Sequence, residues 1–124
     1  TIALPAVVLA DWSDDPSTNT PVVTANNTQG SHHIISDGEC GFFAVWHDYR
    51  NEGISGWDIC AQRFDAEGNP LWGINGVPVC TADGKQERPK ICLDGNGGCI
   101  ISWVDYRGSY ARIYVQRLNG NGAA

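Results

Sequence analysis

At 124 residues the chain is long enough for one domain of ordinary size and too short for two comfortable ones. Its 15 Gly, 6 Pro, 5 Trp and absence of Met, with 42% hydrophobic residues, point to many short strands joined by tight turns. A formal charge of -6 with only 8 Lys plus Arg argues against a nucleic-acid or anionic-membrane surface, because phosphate binding needs a concentrated positive field.

Residues 1–10, TIALPAVVLA, form an apolar run without a basic flank, followed at once by polar sequence. Ten residues are too few to cross a bilayer as a helix, and no other stretch is long and apolar enough for membrane insertion. Val8 and Ala10 would suit the small-residue positions before a secretory cleavage site. The preferred reading is instead a strand buried against something, with Ile2, Leu4, Val7, Leu9 and Trp12 as its contact residues. Residues 1–12 are thereby set apart from a single β domain at 13–124.

A loop rich in Asp, Ser, Thr and Pro covers 12–19, and PVVTA at 21–25 reads as a short strand opening a first repeat, echoed by PVCTA at 78–82. Second strands are expected over 32–36 and 89–93, each followed by a turn, DGECG or DGNGG. In such turns Gly supplies the positive φ and Asp bonds its own downstream backbone. The third strand alternates Phe42, Ala44 and Trp46 with Phe43, Val45 and His47; the second copy answers with Cys99, Ile101 and Trp103 against Ile100, Ser102 and Val104. One face is apolar in both copies and the other mostly so, as in sheets covered on both sides. Fourth strands, DICAQRFD and RIYVQRLN, place Ile59 and Ala61 on one face and Cys60 and Phe64 on the other.

The two copies align at an offset of 57 residues through Asp37/Asp94, Gly38/Gly95, Trp46/Trp103, Asp48/Asp105, Tyr49/Tyr106 and Arg50/Arg107. After a loop three residues shorter in the second copy, Ile59/Ile113, Gln62/Gln116 and Arg63/Arg117 follow. The expected fold is all-β: two four-stranded antiparallel blade-like repeats at about 20–75 and 77–122, packed as stacked sheets or a sandwich, plus the N-terminal apolar strand.

Repetition also bears on chemistry. Asp48 with Arg50, and Asp105 with Arg107, resemble an acid beside an anion-binding group, but recurrence at equivalent positions and a two-residue spacing on one strand face favour a framework role. His32 and His33 diverge as strand neighbours and lack a third ligand at metal spacing. Asp14-Asp15, Asp83-Gly84 and Asp94-Gly95 fit turns and lack the spacing of a calcium loop. No nucleophile elbow, phosphate loop or zinc helix motif is present, so an enzyme and a bound cofactor are both unexpected. Asn26 opens an N-x-[ST] glycosylation triplet in a loop. Five cysteines without a C-x-x-C pair fit an oxidising, extracellular setting. Cys92 and Cys99 flank the DGNGG turn and are candidates for a cross-strand disulfide, with Cys60 and Cys80 as a second candidate pair and Cys40 as the odd thiol.

The pattern DG-x-x-G, W-x-D-Y-R, D-I-x-A-Q-R-x-D-x-x-G-N-P-L-W, G-V-P-V-C-T-A resembles the tandem β-propeller-type repeat of secreted bacterial surface proteins over about residues 11–122. The resemblance implies an extracellular, blade-forming protein without assigned catalytic residues. Only two units are present, whereas closed propellers take about four or more blades.

The first repeat continues into Gly68-Asn69-Pro70-Leu71-Trp72, the second ends at Gly122-Ala123-Ala124, and Trp12 stands before its repeat much as Trp72 stands before the next. The expectation is a structural subunit of a surface fibre, a homopolymer in which the N-terminal strand of one copy completes its neighbour. Against exchange stands a strand that folds back on its own two sheets; against a fibre subunit stands a secreted binding or adhesion module, for glycans among others, with Trp57 and Tyr110 stacking on ligand in the variable loops.

Overall fold

The computed structural model describes residues 2–3 and 12–124. Among these there is no helix, and seven strands carry the fold: β1 (Gln29–Ser36), β2 (Phe42–Asp48), β3 (Gly56–Phe64), β4 (Val77–Cys80), β5 (Gly84–Leu93), β6 (Cys99–Asp105) and β7 (Arg112–Leu118). They form one mixed sheet in the order β1-β2-β3-β5-β6-β7, with β4 paired to β3. All pairings are antiparallel except a short parallel contact in which Gly56 and Trp57 of β3 meet Gly84 and Lys85 of β5. The sheet thus consists of a four-stranded antiparallel meander, β1 to β4, joined by two residue pairs to a three-stranded one, β5 to β7.

The turns follow from their side chains. Asp37 Oδ1 accepts from the backbone N–H groups of Glu39 and Gly41 at 2.8 and 2.9 Å, and Asp94 Oδ1 accepts from Asn96 and Gly98 at 2.7 and 2.8 Å. The same device closes the turns after β3 and β7, where Asp65 and Asn119 accept from backbone two and four residues on. β1 and β5 begin earlier than the sequence predicts because each passes through a bulge, with Ser31 and Arg88 at φ 48° and 55°.

Strand alternation sorts the core into two clusters. Phe43 and Val45 of β2 and Ile59 and Ala61 of β3 pack with Ile91, Cys99, Ile101 and Trp103 of β5 and β6, joined by Trp72 and Leu118. Ala44, Trp46 and Cys60 face the other way, against Val22, Val23 and Phe42. Fully burying one such side chain is worth about 1.5–3 kcal/mol, so the larger cluster dominates the contact between the two meanders.

Three expectations need correction. Residues 21–25 are not a strand: β4 (Val77–Cys80), which overlaps their echo at 78–82, pairs with β3, so this segment belongs beside a preceding strand rather than at the head of its own meander, and among the described residues none pairs with it. Consequently the second meander has three strands, not four. The disulfide pairs also fail on register. Cys92 lies opposite Ile100 and Cys99 opposite Leu93, which puts one thiol in solvent and the other in the core. Likewise Cys80 lies opposite Ile59, with Cys60 on the other face, and all five cysteines are free. Leu4, Val7 and Leu9 lie outside the described residues; Ile2 is exposed.

Candidate functional site

The Asp-Arg pairs at the ends of β2 and β6 are closed to outside chemistry. Asp48 receives Trp46 Nε1 at 2.7 Å, Arg50 Nε at 2.8 Å, Arg50 NH2 at 2.6 Å and the Arg50 backbone N–H at 2.9 Å. Asp105 repeats the pattern with Trp103 at 2.8 Å and Arg107 at 2.6–2.9 Å. Burial alone would raise Asp48, but these donors hold it below the usual carboxylate range. Hydrogen bonding from the Arg107 guanidinium likewise holds Asp105 at about 2. A carboxylate whose lone pairs are all occupied has none left for a substrate or metal, so each pair pins a strand end and the following turn. Arg63 and Arg117 make equivalent pairs with Asp37 and Asp94 at 2.9 and 2.7 Å.

The remaining sequence candidates are scattered. Trp57 is half-buried, its ring 4.2 Å from His47 and 5.3 Å from Tyr49, with Lys85 Nζ 5.3 Å above it; Tyr110 stands 75% exposed in the loop before β7. Asn26 is exposed in its loop. Burial pushes the Cys60 thiol up to about 12 and Cys99 up to about 11, which keeps them as packed, unreactive groups. Among the described residues no group of three His, Cys, Asp or Glu side chains is placed to hold a metal ion, and no helix is long and apolar enough to cross a membrane.

What the molecule does present is two unlike apolar ends. On one side, an open cavity of about 390 Å³ is lined by Val22, Val23, His32, Ile34, Ala44 and Trp46. Ala44 and Trp46 are themselves buried beneath Val22 and Val23, as their repeat equivalents Ile101 and Trp103 are, but Ile34 is 54% exposed where its equivalent Ile91 is 7%, and His32 is exposed where Pro89 is buried. On the other side, Ile113 and Val115 of β7 are 70% and 63% exposed, whereas their equivalents Ile59 and Ala61 are at 0% beneath β4 and the second meander. Part of the internal seam is therefore left uncovered at each end, Ile34 at one and Ile113 and Val115 at the other.

Trp12 marks the same relation. Its Nε1 donates to the Ala66 carbonyl at 3.0 Å and its ring lies against Gly68; Trp72 Nε1 donates to the Gly120 carbonyl at 3.0 Å and its ring lies against Gly122. Ala66/Gly120 and Gly68/Gly122 are equivalent positions, so the two tryptophans are equivalent despite a loop of different length. Trp72 is 7% exposed because Phe43 covers it at 5.5 Å, whereas Trp12, stacked on Phe42 at 5.8 Å, is 48% exposed. The sequence marked out Trp12 but missed Ile34, Ile113 and Val115; comparing each apolar residue with its repeat partner is the signal that finds them. No family model, curated protein or solved structure matches the chain.

Proposed function

We propose that this protein is a non-enzymatic structural unit, built of two blade-like repeats, that joins copies of itself head to tail. The observation that carries this reading is the pair of unlike end faces: the side of one copy where Val22, Val23 and Ile34 lie over Ala44 and Trp46, and the Ile113–Val115 side of the next, would rebuild the contact that buries Ile91, Trp103, Ile59 and Ala61 inside the chain. An interface between different patches is heterologous, and it gives a ring if the rotation closes and a filament if it does not. Placement at a cell surface rests on the resemblance of the repeat alone. The saturated Asp48 and Asp105 pairs and the elevated core thiols support a structural rather than catalytic role. Native mass measurement over a concentration series tests this: discrete multiples or a growing ladder are expected, and a monomer throughout would sink it.

A second reading, a glycan-binding module, draws on the exposed Tyr110 and on the aromatic pair Tyr49 and Trp57 with the Lys85 ammonium above the indole. Trp57 is already engaged on two sides, which leaves less ring for a sugar than the sequence implied. A glycan array on which Tyr110→Ala and the parent chain bind alike would count against it.

A further inference from the structure

Resting on that self-association, we infer that residues 12–23 of one copy supply the fourth strand and the tryptophan latch of the next copy's β7. The joint is then made by this segment and not by the apolar run before it. Inside the chain β4 lies on β3 with Ile59 opposite Cys80, Cys60 opposite Pro78 and Ala61 opposite Val77. The equivalents on the open strand are Ile113, Tyr114 and Val115, and the equivalents of the added strand are Val23, Pro21 and Thr20. The register between copies is therefore Ile113 opposite Val23, Tyr114 opposite Pro21 and Val115 opposite Thr20.

The donating segment is already set for this role. Val22 and Val23 pack on Ala44 and Trp46, as Val79 and Cys80 pack in the cluster of Ile101 and Trp103. Asn19 takes φ 53° where its equivalent Gly76 takes 74°, so the chain enters both segments with the same left-handed residue. The Thr24 N–H is held by Asn75 Oδ1 at 2.8 Å, which anchors the segment without using residues 20–23. Among the described residues nothing pairs with its outer edge, and strand addition there satisfies backbone groups on both partners.

The latch follows the same logic. Gln62 accepts from the Trp72 N–H at 2.9 Å and donates to the Gly73 carbonyl. Gln116, its equivalent, would accept from Trp12 and donate to Ser13 of the neighbouring copy. Ile100, the equivalent of Phe43, would then cover the Trp12 ring. One position departs from the internal template: a Cβ at Gly76 would collide with the Ala61 carbonyl and meet Trp46 at 2.8 Å, and Asn19 has a Cβ. The joint between copies is looser at that end than the internal seam.

The test uses the full chain with p-benzoylphenylalanine in place of Ile113, irradiated at concentrations where native mass shows association. Cleavage ahead of Asp11 and Asp15 separates residues 1–10 from residues 15–36. A cross-link into 15–36 is expected, together with tighter association of Asn19→Gly by several-fold and weaker association of Ile113→Lys by at least tenfold. A cross-link into 1–10 or elsewhere, with association intact, overturns this joint and leaves head-to-tail assembly standing. Association unchanged or weakened in Asn19→Gly also counts against it. A chain that stays monomeric at every concentration overturns both.

Discussion

Asp48 and Asp105 show how little of a suggestive residue pattern needs to be chemistry. Each fills its acceptor sites with an indole, a guanidinium and a backbone N–H from residues within two positions of itself. Removing one partner of a buried, hydrogen-bonded charge leaves the other uncompensated, so Asp48→Asn should cost roughly 2–4 kcal/mol, read as a lower urea midpoint with unchanged slope. Asp105 is held below its ordinary value, so its contribution is fully present above the unfolded pKa near 3.8 and is lost as pH falls towards about 2. That loss is roughly 1–2 kcal/mol, since Arg107 is 36% exposed and partly screened. Asp37, Asp48 and Asp94 are lowered as well and act in the same direction, so urea unfolding at pH 7, 4 and 2.5 should show stability falling monotonically into acid. Thiol labelling of the native chain should modify Cys40 and Cys92 at once, and Cys60 and Cys99 only on unfolding.

At the scale of the strand and its turn, two close approaches require glycine. A Cβ at Gly41 would run into the Phe64 carbonyl, and one at Gly98 into the Leu118 carbonyl, at equivalent points where the turn before β2 or β6 crosses the end of the next strand. Neither glycine has a positive φ, so the cost of Ala there is steric and falls on the backbone of β3 or β7. Gly95 is the contrasting case, with φ 77° and nothing near its missing Cβ. Gly98→Ala should therefore destabilise by about 2 kcal/mol or more, and Gly95→Ala by about 1 kcal/mol, the ordinary cost of a left-handed L-residue. Thermal unfolding of the two variants side by side checks the order. At β4 a strand follows its partner's edge, so Val77–Cys80 becomes strand beside β3 while residues 21–25 do not.

At the scale of the whole molecule, the seam between the meanders holds most of the buried apolar side chains among the described residues, and the repeat equivalents of its two halves are left partly uncovered at opposite ends, at Ile34 and at Ile113 and Val115. Trp103→Ala, within that seam, should cost about 3–5 kcal/mol in the monomer. Association of end faces adds stability only in the presence of partners. The melting temperature should therefore rise with protein concentration for the parent chain, and be flat for Val115→Lys, whose side chain is exposed in the free copy. A melting temperature independent of concentration in both would remove the end faces from any account of assembly.

The all-β class, the repeat, the alternation of faces and the aspartate turns were legible in the sequence, because each rests on contacts a few residues apart or on a period of two. Period alone separated Phe43 and Val45 from Ala44 and Trp46, and Ile59 and Ala61 from Cys60, as found, but which face of one strand joins which face of the next came only from the pairing. Pairing partners were not legible, since they depend on which edge a segment meets. For that reason residues 21–25 read as strand, and Cys92 and Cys99 read as facing each other when register sets them one position apart. Exposure was decided by tertiary structure alone: Ile59 and Ile113 are identical in type and in repeat position, and only the strand and sheet laid over the first separate 0% from 70%.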